Sequence, residues 1–211
     1  CHAVGQALFD LFQLALIPCD FSGDTVFICL IKSELLPDFF YIQFFFIQYS
    51  GLRSFLPARL FQILRKALDL FVFLGDGTDD AVLALEAYPS LPRIIVSGNR
   101  EEYLSSFLTF PPFPFEAEFE EQSVKFLALH GHRPVNVKGS LVAAASYAAS
   151  KGADVLLYGH THIKDDRTVE TASGSVRMIN PGSAGRGSEP SYALLTLMNG
   201  VLLCGFGETC E

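Results

Sequence analysis

The stretch VLLYGHTH (residues 155–162) joins a short apolar run to a tight glycine turn that carries two histidines. An apolar run without polar interruptions is typical of a strand that is buried on both faces of a sheet. Glycine allows a sharp turn after the strand, so the side chains that follow lie at the edge of the sheet. The stretch therefore predicts an α/β sheet with imidazole groups at its carboxyl edge.

Three more apolar runs end in the same way. They are LFVFLGD (residues 70–76), RIIVSGN (residues 93–99) and KFLALHGH (residues 125–132). Their last polar side chains are Asp76, Asn99, His130 and His132. Because the carboxyl ends of neighbouring parallel strands meet at one edge of a sheet, these groups are expected to lie together. A cluster of oxygen and imidazole groups suits a divalent metal such as manganese, iron or zinc.

Length and composition bound the class of protein. The 211 residues suffice for one domain with a sizeable core, and we assign it to residues 39–211, with residues 1–38 as an unassigned N-terminal extension. A net charge of −8 without a basic patch argues against nucleic acid as the main ligand. No apolar run is long enough to cross a membrane. The five cysteines form no C-x-x-C pair, which favours reduced thiols in a cytoplasmic protein.

The remaining pattern alternates strands and helices early and has hairpins late, which predicts mixed sheets flanked by helices. A continuous apolar run over residues 39–49 predicts a central strand, and Asn199-Gly200 is a strong hairpin signal. Helices are expected at residues 54–67, 78–87 and 140–151, and further strands at residues 116–122, 168–171, 175–179, 192–197 and 201–206.

Taken in order, five short motifs resemble the calcineurin-like metallophosphoesterase superfamily. They are GD at 75–76, GN at 98–99, HGH at 130–132, GHTH at 159–162 and NPGS at 180–183. The nearest resemblance is to its compact single-domain prokaryotic phosphodiesterases, to which the metallophosphoesterase-like retromer subunit is related. It extends over Phe39 to Phe206 and implies a mixed α/β fold, a four-layer αββα sandwich of two mixed sheets.

The resemblance also implies a metal site at the sheet edge. Its expected ligands are Asp76, Asn99, His130, His160 and His162. Manganese is the first expectation for the metal, with iron, zinc, nickel or magnesium as alternatives. One ion is expected, with two as the alternative.

Two departures from the family pattern bear on catalysis. The family's first motif, Asp-x-His, is replaced here by residues that include Gly51 and Arg53, unless Asp20 or Asp24 supplies the missing ligand through a long insertion. The family's usual acid after the GN motif is also replaced, by Arg100 and Glu101. A guanidinium binds phosphate well, so Arg53 is expected to act as a fixed cation in place of the second metal, although a surface role is equally compatible with the sequence.

The resulting functional prediction is a hydrolase, a phosphodiesterase that cleaves a small phosphate ester with a metal-activated water. The expected catalytic residues are His162, Arg53 and Arg100, and the expected substrate-binding residues are Asn99, His132 and Arg53. The alternative is a weakly active or inactive scaffold with the same fold that binds other proteins. The Phe/Pro tract Phe107–Phe115 is expected to be a partly covered loop, and it is the first candidate region for a homo-oligomeric or protein contact.

Overall fold

The computed structural model describes residues 41–47, 69–105, 113–183 and 191–208. Residues 1–38 and the predicted helix at residues 54–67 lie outside these ranges, as do Gly51, Arg53, Asp20 and Asp24. The described elements, in chain order, are β1 Tyr41–Ile47, β2 Leu70–Phe73, α1 Thr78–Leu85, β3 Arg93–Ile95, α2 Asn99–Ser105, β4 Glu116–Glu121, β5 Val124–Leu129, α3 Leu141–Ser150, β6 Val155–Tyr158, β7 Lys164–Thr171, β8 Gly174–Pro181, β9 Ser191–Met198 and β10 Val201–Glu208.

Two five-stranded mixed sheets form the centre of the fold. The first has the order β10-β9-β1-β2-β3 and the second the order β4-β5-β6-β8-β7. In the first sheet, β1, β2 and β3 run parallel, while β9 pairs antiparallel with both β1 and β10. In the second, β5, β6 and β8 run parallel, and β4 and β7 are antiparallel edge strands. The predicted mixed α/β class is confirmed, and β1 is central as expected.

The side chains of β5 show how an all-apolar strand serves two cores. Phe126 and Ala128 belong to the core that also contains side chains of the first sheet, such as Phe73 and Leu195. The two leucines of β5 pack instead against alanines of α3. Because successive side chains of a strand point to opposite faces, such a run must be apolar throughout.

Helix α3 begins and ends as the sequence predicts. The side chain of Ser140 accepts a hydrogen bond from Ala143 N at 3.1 Å, as an N-cap does. Gly152 follows the helix with a φ of 74°, a conformation that glycine adopts without strain. Three alanines, Ala144, Ala145 and Ala148, are buried against the second sheet. Their small size lets the helix approach the sheet closely.

Two elements differ from the sequence-based expectation. Helix α2, directly after β3, was not predicted, although Asn99 at its start and the acids Glu101 and Glu102 in its first turn are typical of a helix N-terminus. Strand β7 begins at Lys164 rather than at Thr168. Its first half is polar because β7 is an edge strand, and pairing with β8 rather than apolar alternation defines it.

Among the described helices, none has the length and apolar composition that crossing a membrane would require.

Candidate metal centre

The carboxyl ends of strands from both sheets meet at one point. His130, directly after β5 of the second sheet, donates a hydrogen bond from Nδ1 to the carbonyl oxygen of Leu74, directly after β2 of the first, at 2.6 Å. Because a carbonyl oxygen only accepts, Nδ1 carries the proton. Burial lowers the pKa of His130 to about 3, so the ring is neutral and Nε2 presents a lone pair.

Two oxygen acceptors face that lone pair. Asp76 Oδ2 lies 3.4 Å from His130 Nε2, and Asn99 Oδ1 lies 3.0 Å from it. Atoms that each stand about 2.1 Å from one divalent ion are roughly 3.0–3.4 Å apart, in octahedral or tetrahedral geometry. Burial raises the pKa of the Asp76 carboxyl, because removal from water disfavours its charged form. A divalent cation fits among these three acceptors.

His160 and His162 flank the same point. The His160 ring lies 5.0 Å from the His130 ring, centroid to centroid. Burial and, to a lesser extent, the proximity of His130 lower the pKa of His160 to about 4. At neutral pH its ring is therefore neutral, with one nitrogen lone pair available to a metal. His162 lies close enough to Asp76 and to both neighbouring histidines to affect their pKa values. Across the described ranges, no three His, Cys, Asp or Glu side chains already surround a single point as a metal shell.

Backbone strain is concentrated at this site. Asp76, His160 and His162 have φ values of 64°, 66° and 60°, in the left-handed region that non-glycine residues rarely adopt. The other described non-glycine residues with positive φ, Gln122, Ser123 and Asn199, lie in hairpin turns. Strained residues that persist outside turns are common at functional sites, where the surrounding structure holds them.

Asn180 of the NPGS motif holds the strained GHTH loop. Its side-chain amide donates to Gly159 O at 2.9 Å and to Thr161 Oγ1 at 3.0 Å, and its side-chain oxygen accepts from Gly182 N at 2.9 Å. Asn180 is fully buried at the end of β8. The two late motifs are therefore one structural unit that fixes where His160 and His162 stand.

Glu101 plays the equivalent role on the other side of the site. Its carboxylate accepts hydrogen bonds from four backbone N–H groups, those of Asp76 at 2.9 Å, Gly77 at 2.6 Å, Thr78 at 3.2 Å and Gly98 at 2.8 Å. In the sequence, Glu101 stands out only as a departure from the family pattern. The acidic pair after Asn99 is the available signal, but three of the four partners of Glu101 lie 23 to 25 residues away and cannot be inferred from the sequence.

We expect Glu101→Gln to lower the free energy of unfolding by about 2–4 kcal/mol, because two buried N–H groups lose their acceptor and face an amide N–H instead. The measurement is urea unfolding of the two proteins. Glu118→Gln is the matched control, since Glu118 is half exposed and forms an ion pair with Lys151. Equal stability of the Glu101→Gln protein and wild type would show that these four hydrogen bonds do not hold the loops.

The structure places the remaining expected site residues as follows. Arg100 donates its backbone N–H to Asp76 Oδ1 at 2.8 Å and is half-buried. The rings of His132 and His130 pack edge to face, with their centroids 5.2 Å apart. Arg53 lies outside the described residues. Phe113, in the described end of the Phe/Pro tract, packs against the core, and the Phe115 ring contacts His132.

Comparison with known proteins finds phosphoesterases both by family and by individual relative. Residues 53–200 match the calcineurin-like phosphoesterase superfamily domain. The chain is 32% identical over 143 residues to the probable metallophosphoesterase YsnB of Bacillus subtilis, with 63% of this chain and 70% of that protein covered.

Two crystal structures share the fold at lower identity. A conserved predicted phosphoesterase from Streptococcus pneumoniae superposes with a TM-score of 0.53 at 20% identity, covering 72% of this chain and 80% of the other. A doubly substituted Vps29 from Entamoeba histolytica gives a TM-score of 0.51 at 18% identity, covering 86% and 98%.

Proposed function

Because the chain belongs to the calcineurin-like phosphoesterase superfamily, we propose that it is a metal-dependent phosphodiesterase that hydrolyses a small phosphate ester. The observation that carries the proposal is the convergence of three atoms of metal-ligand type, Asp76 Oδ2, Asn99 Oδ1 and His130 Nε2, where strand ends of both sheets meet. A divalent cation placed among these atoms would accept an electron pair from each of them.

Asp76, Asn99, His130 and His160 would hold one divalent ion, with His162 beside it. When bound, such an ion supplies Lewis-acid polarisation of the phosphoryl group and lowers the pKa of a water. The mixture of carboxylate, amide and imidazole suits manganese first, with iron, zinc, nickel or magnesium as alternatives. Since burial keeps both His130 and His160 neutral at pH 7, neither needs to lose a proton before it binds the ion.

The proposed reaction is hydrolysis at phosphorus. Water adds to the phosphorus atom, the bond from phosphorus to one ester oxygen breaks, and that oxygen leaves as an alcohol after it takes up a proton. His162 and Arg100 would neutralise the charge that develops on the phosphoryl oxygens. Asn99, His132 and Arg53 would orient the phosphate, with Arg53 as the fixed cation.

The test is turnover of bis(p-nitrophenyl) phosphate by the full chain after removal of metals with a chelator. We expect hydrolysis to return with Mn²⁺ and to stay absent with the chelator. Asn180→Ala does not serve as a control because it disturbs the site, whereas Glu118→Gln should retain full activity. Tight Mn²⁺ binding with no turnover of diester or monoester would contradict the phosphodiesterase proposal and would favour the scaffold function instead.

We also expect close to one equivalent of bound metal, because only Asp76 and His162 remain from the second site. Two protein ligands seldom hold a divalent ion against water, and Arg53 in its proposed position would repel one. Metal analysis of the purified protein measures the stoichiometry. The double change Gly51→Asp with Arg53→His should raise it towards two and increase the rate. Two tightly held equivalents in the unchanged protein would mean that a ligand such as Asp20 or Asp24 completes the second site.

A further inference from the structure

We infer that His132 is a further ligand of the metal, held in a carboxylate–histidine–metal arrangement by Glu102. The inference rests on the proposed function and refines it: His132 would bind the metal rather than the phosphate, a ligand role that the family resemblance does not assign. Metal-binding histidines commonly donate their second ring N–H to a carboxylate, which fixes the tautomer and the orientation of the ring. The Glu102–His132 pair has this geometry.

The carboxylate side of the arrangement is well defined. His132 Nε2 donates to Glu102 Oε2 at 3.0 Å, and the second oxygen of Glu102 accepts a hydrogen bond from Arg133 Nη1. The Arg133 guanidinium also lies over the Phe115 ring, 4.3 Å from its centroid, and the same ring meets His132 edge-on at 5.7 Å. The imidazole of His132 is therefore fixed by hydrogen bonding at one nitrogen and by packing at its edge.

The second ring nitrogen of His132, Nδ1, differs from Nε2. Nδ1 is buried and has no hydrogen-bond partner within the part of the chain that the structure describes. The side chain as a whole is only 11% exposed. A buried polar atom without a partner lowers the stability of the fold by about 1–3 kcal/mol. An atom in this state therefore indicates that a ligand binds there.

The surroundings of His132 favour a cation over an anion as that ligand. Its ring centroid lies 5.2 Å from that of His130 and 6.2 Å from that of His160, and the Asp76 carboxylate is close enough for its pKa to respond to His132. With its one N–H given to Glu102, the neutral ring offers only a lone pair at Nδ1. A lone pair repels a phosphate oxygen and attracts a metal ion, which is why we assign the metal rather than the substrate to this nitrogen.

A ligand at His132 would compensate for the ligands that the first motif has lost. The ion would then have three imidazoles, His130, His132 and His160, beside the carboxylate and the amide. Imidazole suits zinc, iron and nickel, whereas magnesium prefers oxygen ligands. The inference therefore also predicts that the site discriminates against Mg²⁺.

The experiment measures metal dissociation constants of the full chain by chelator competition, with Zn²⁺, Mn²⁺ and Mg²⁺ as probes. We expect Glu102→Gln to weaken Zn²⁺ binding about 10–100-fold and His132→Ala to weaken it further. Glu118→Gln, which removes a carboxylate elsewhere on the surface, should bind as wild type does. The visible absorption of the Co²⁺-loaded protein should change in His132→Ala, because the ligand field loses one nitrogen.

The outcomes separate the inference from the proposed function. Unchanged Zn²⁺ affinity and Co²⁺ absorption in His132→Ala would overturn the inference, and a raised KM in the same variant would identify His132 as a substrate contact. Wild-type protein that takes up none of these ions would overturn the proposed function itself. If His132→Ala does not fold, Glu102→Gln decides, since Glu102 is 40% exposed and tolerates replacement, and wild-type affinity there contradicts the inference.

Discussion

His160→Gly should release most of the bound metal and lower kcat/KM for a phosphodiester by about 100-fold or more. Loss of an outer partner of a metal ligand already costs about 10–100-fold, and loss of the ligand itself costs more. Glycine is a better replacement than alanine because His160 has a φ of 66°, which glycine adopts freely. The fold should therefore survive while the imidazole alone is removed.

Added imidazole offers a control for this variant. The ring of His160 is half-buried, so its removal leaves space beside His130 that free imidazole can occupy. We expect millimolar imidazole to restore part of the metal binding and of the activity of His160→Gly, and to have no such effect on wild type. Retention of full metal content by the variant without imidazole would show that His160 is not a ligand.

Gly98→Ala is expected to destabilise the fold by about 3 kcal/mol or more and to abolish metal binding. A Cβ at Gly98 would lie 2.2 Å from Asp76 Oδ1 and 2.4 Å from Asp76 N, far inside contact distance. The loop after β2 and the loop after β3 would have to separate. That movement displaces Asp76 from His130 and disrupts the hydrogen bonds of Glu101.

Gly200→Ala is the matched control for Gly98→Ala. Gly200 lies in the β9–β10 hairpin with a φ of 76°, and a Cβ there would meet nothing within 4 Å. Its replacement should cost only the roughly 1–2 kcal/mol of a left-handed backbone and leave metal binding intact. Urea unfolding and metal analysis of both variants compare the two effects. Metal binding by a folded Gly98→Ala protein at wild-type strength would contradict the close packing of the two loops.

The elements that the sequence predicts well are those whose pattern is local. Buried strands such as β6 are continuous apolar runs, and the turn at Asn199-Gly200 needs the positive φ values of 50° and 76° that these residue types accept. The strand ends therefore locate the candidate ligands without knowledge of the packing.

The features that the sequence does not reveal depend on distant partners. Glu101 and Glu102 read as ordinary acids of a helix start, yet one holds backbone groups of the loop after β2 and the other orients His132, 30 residues away. The polar first half of β7 becomes a strand only through its pairing with β8. Such roles follow from the tertiary arrangement, which no spacing of residue types along the chain encodes.

The most direct test of the central claim is anomalous diffraction from crystals of the full chain soaked in Mn²⁺. The account predicts one strong anomalous peak among Asp76 Oδ2, Asn99 Oδ1 and His130 Nε2, in contact with His160. A peak at another place in the described part of the chain, or no peak at a Mn²⁺ concentration that supports turnover, would contradict the proposed metal centre.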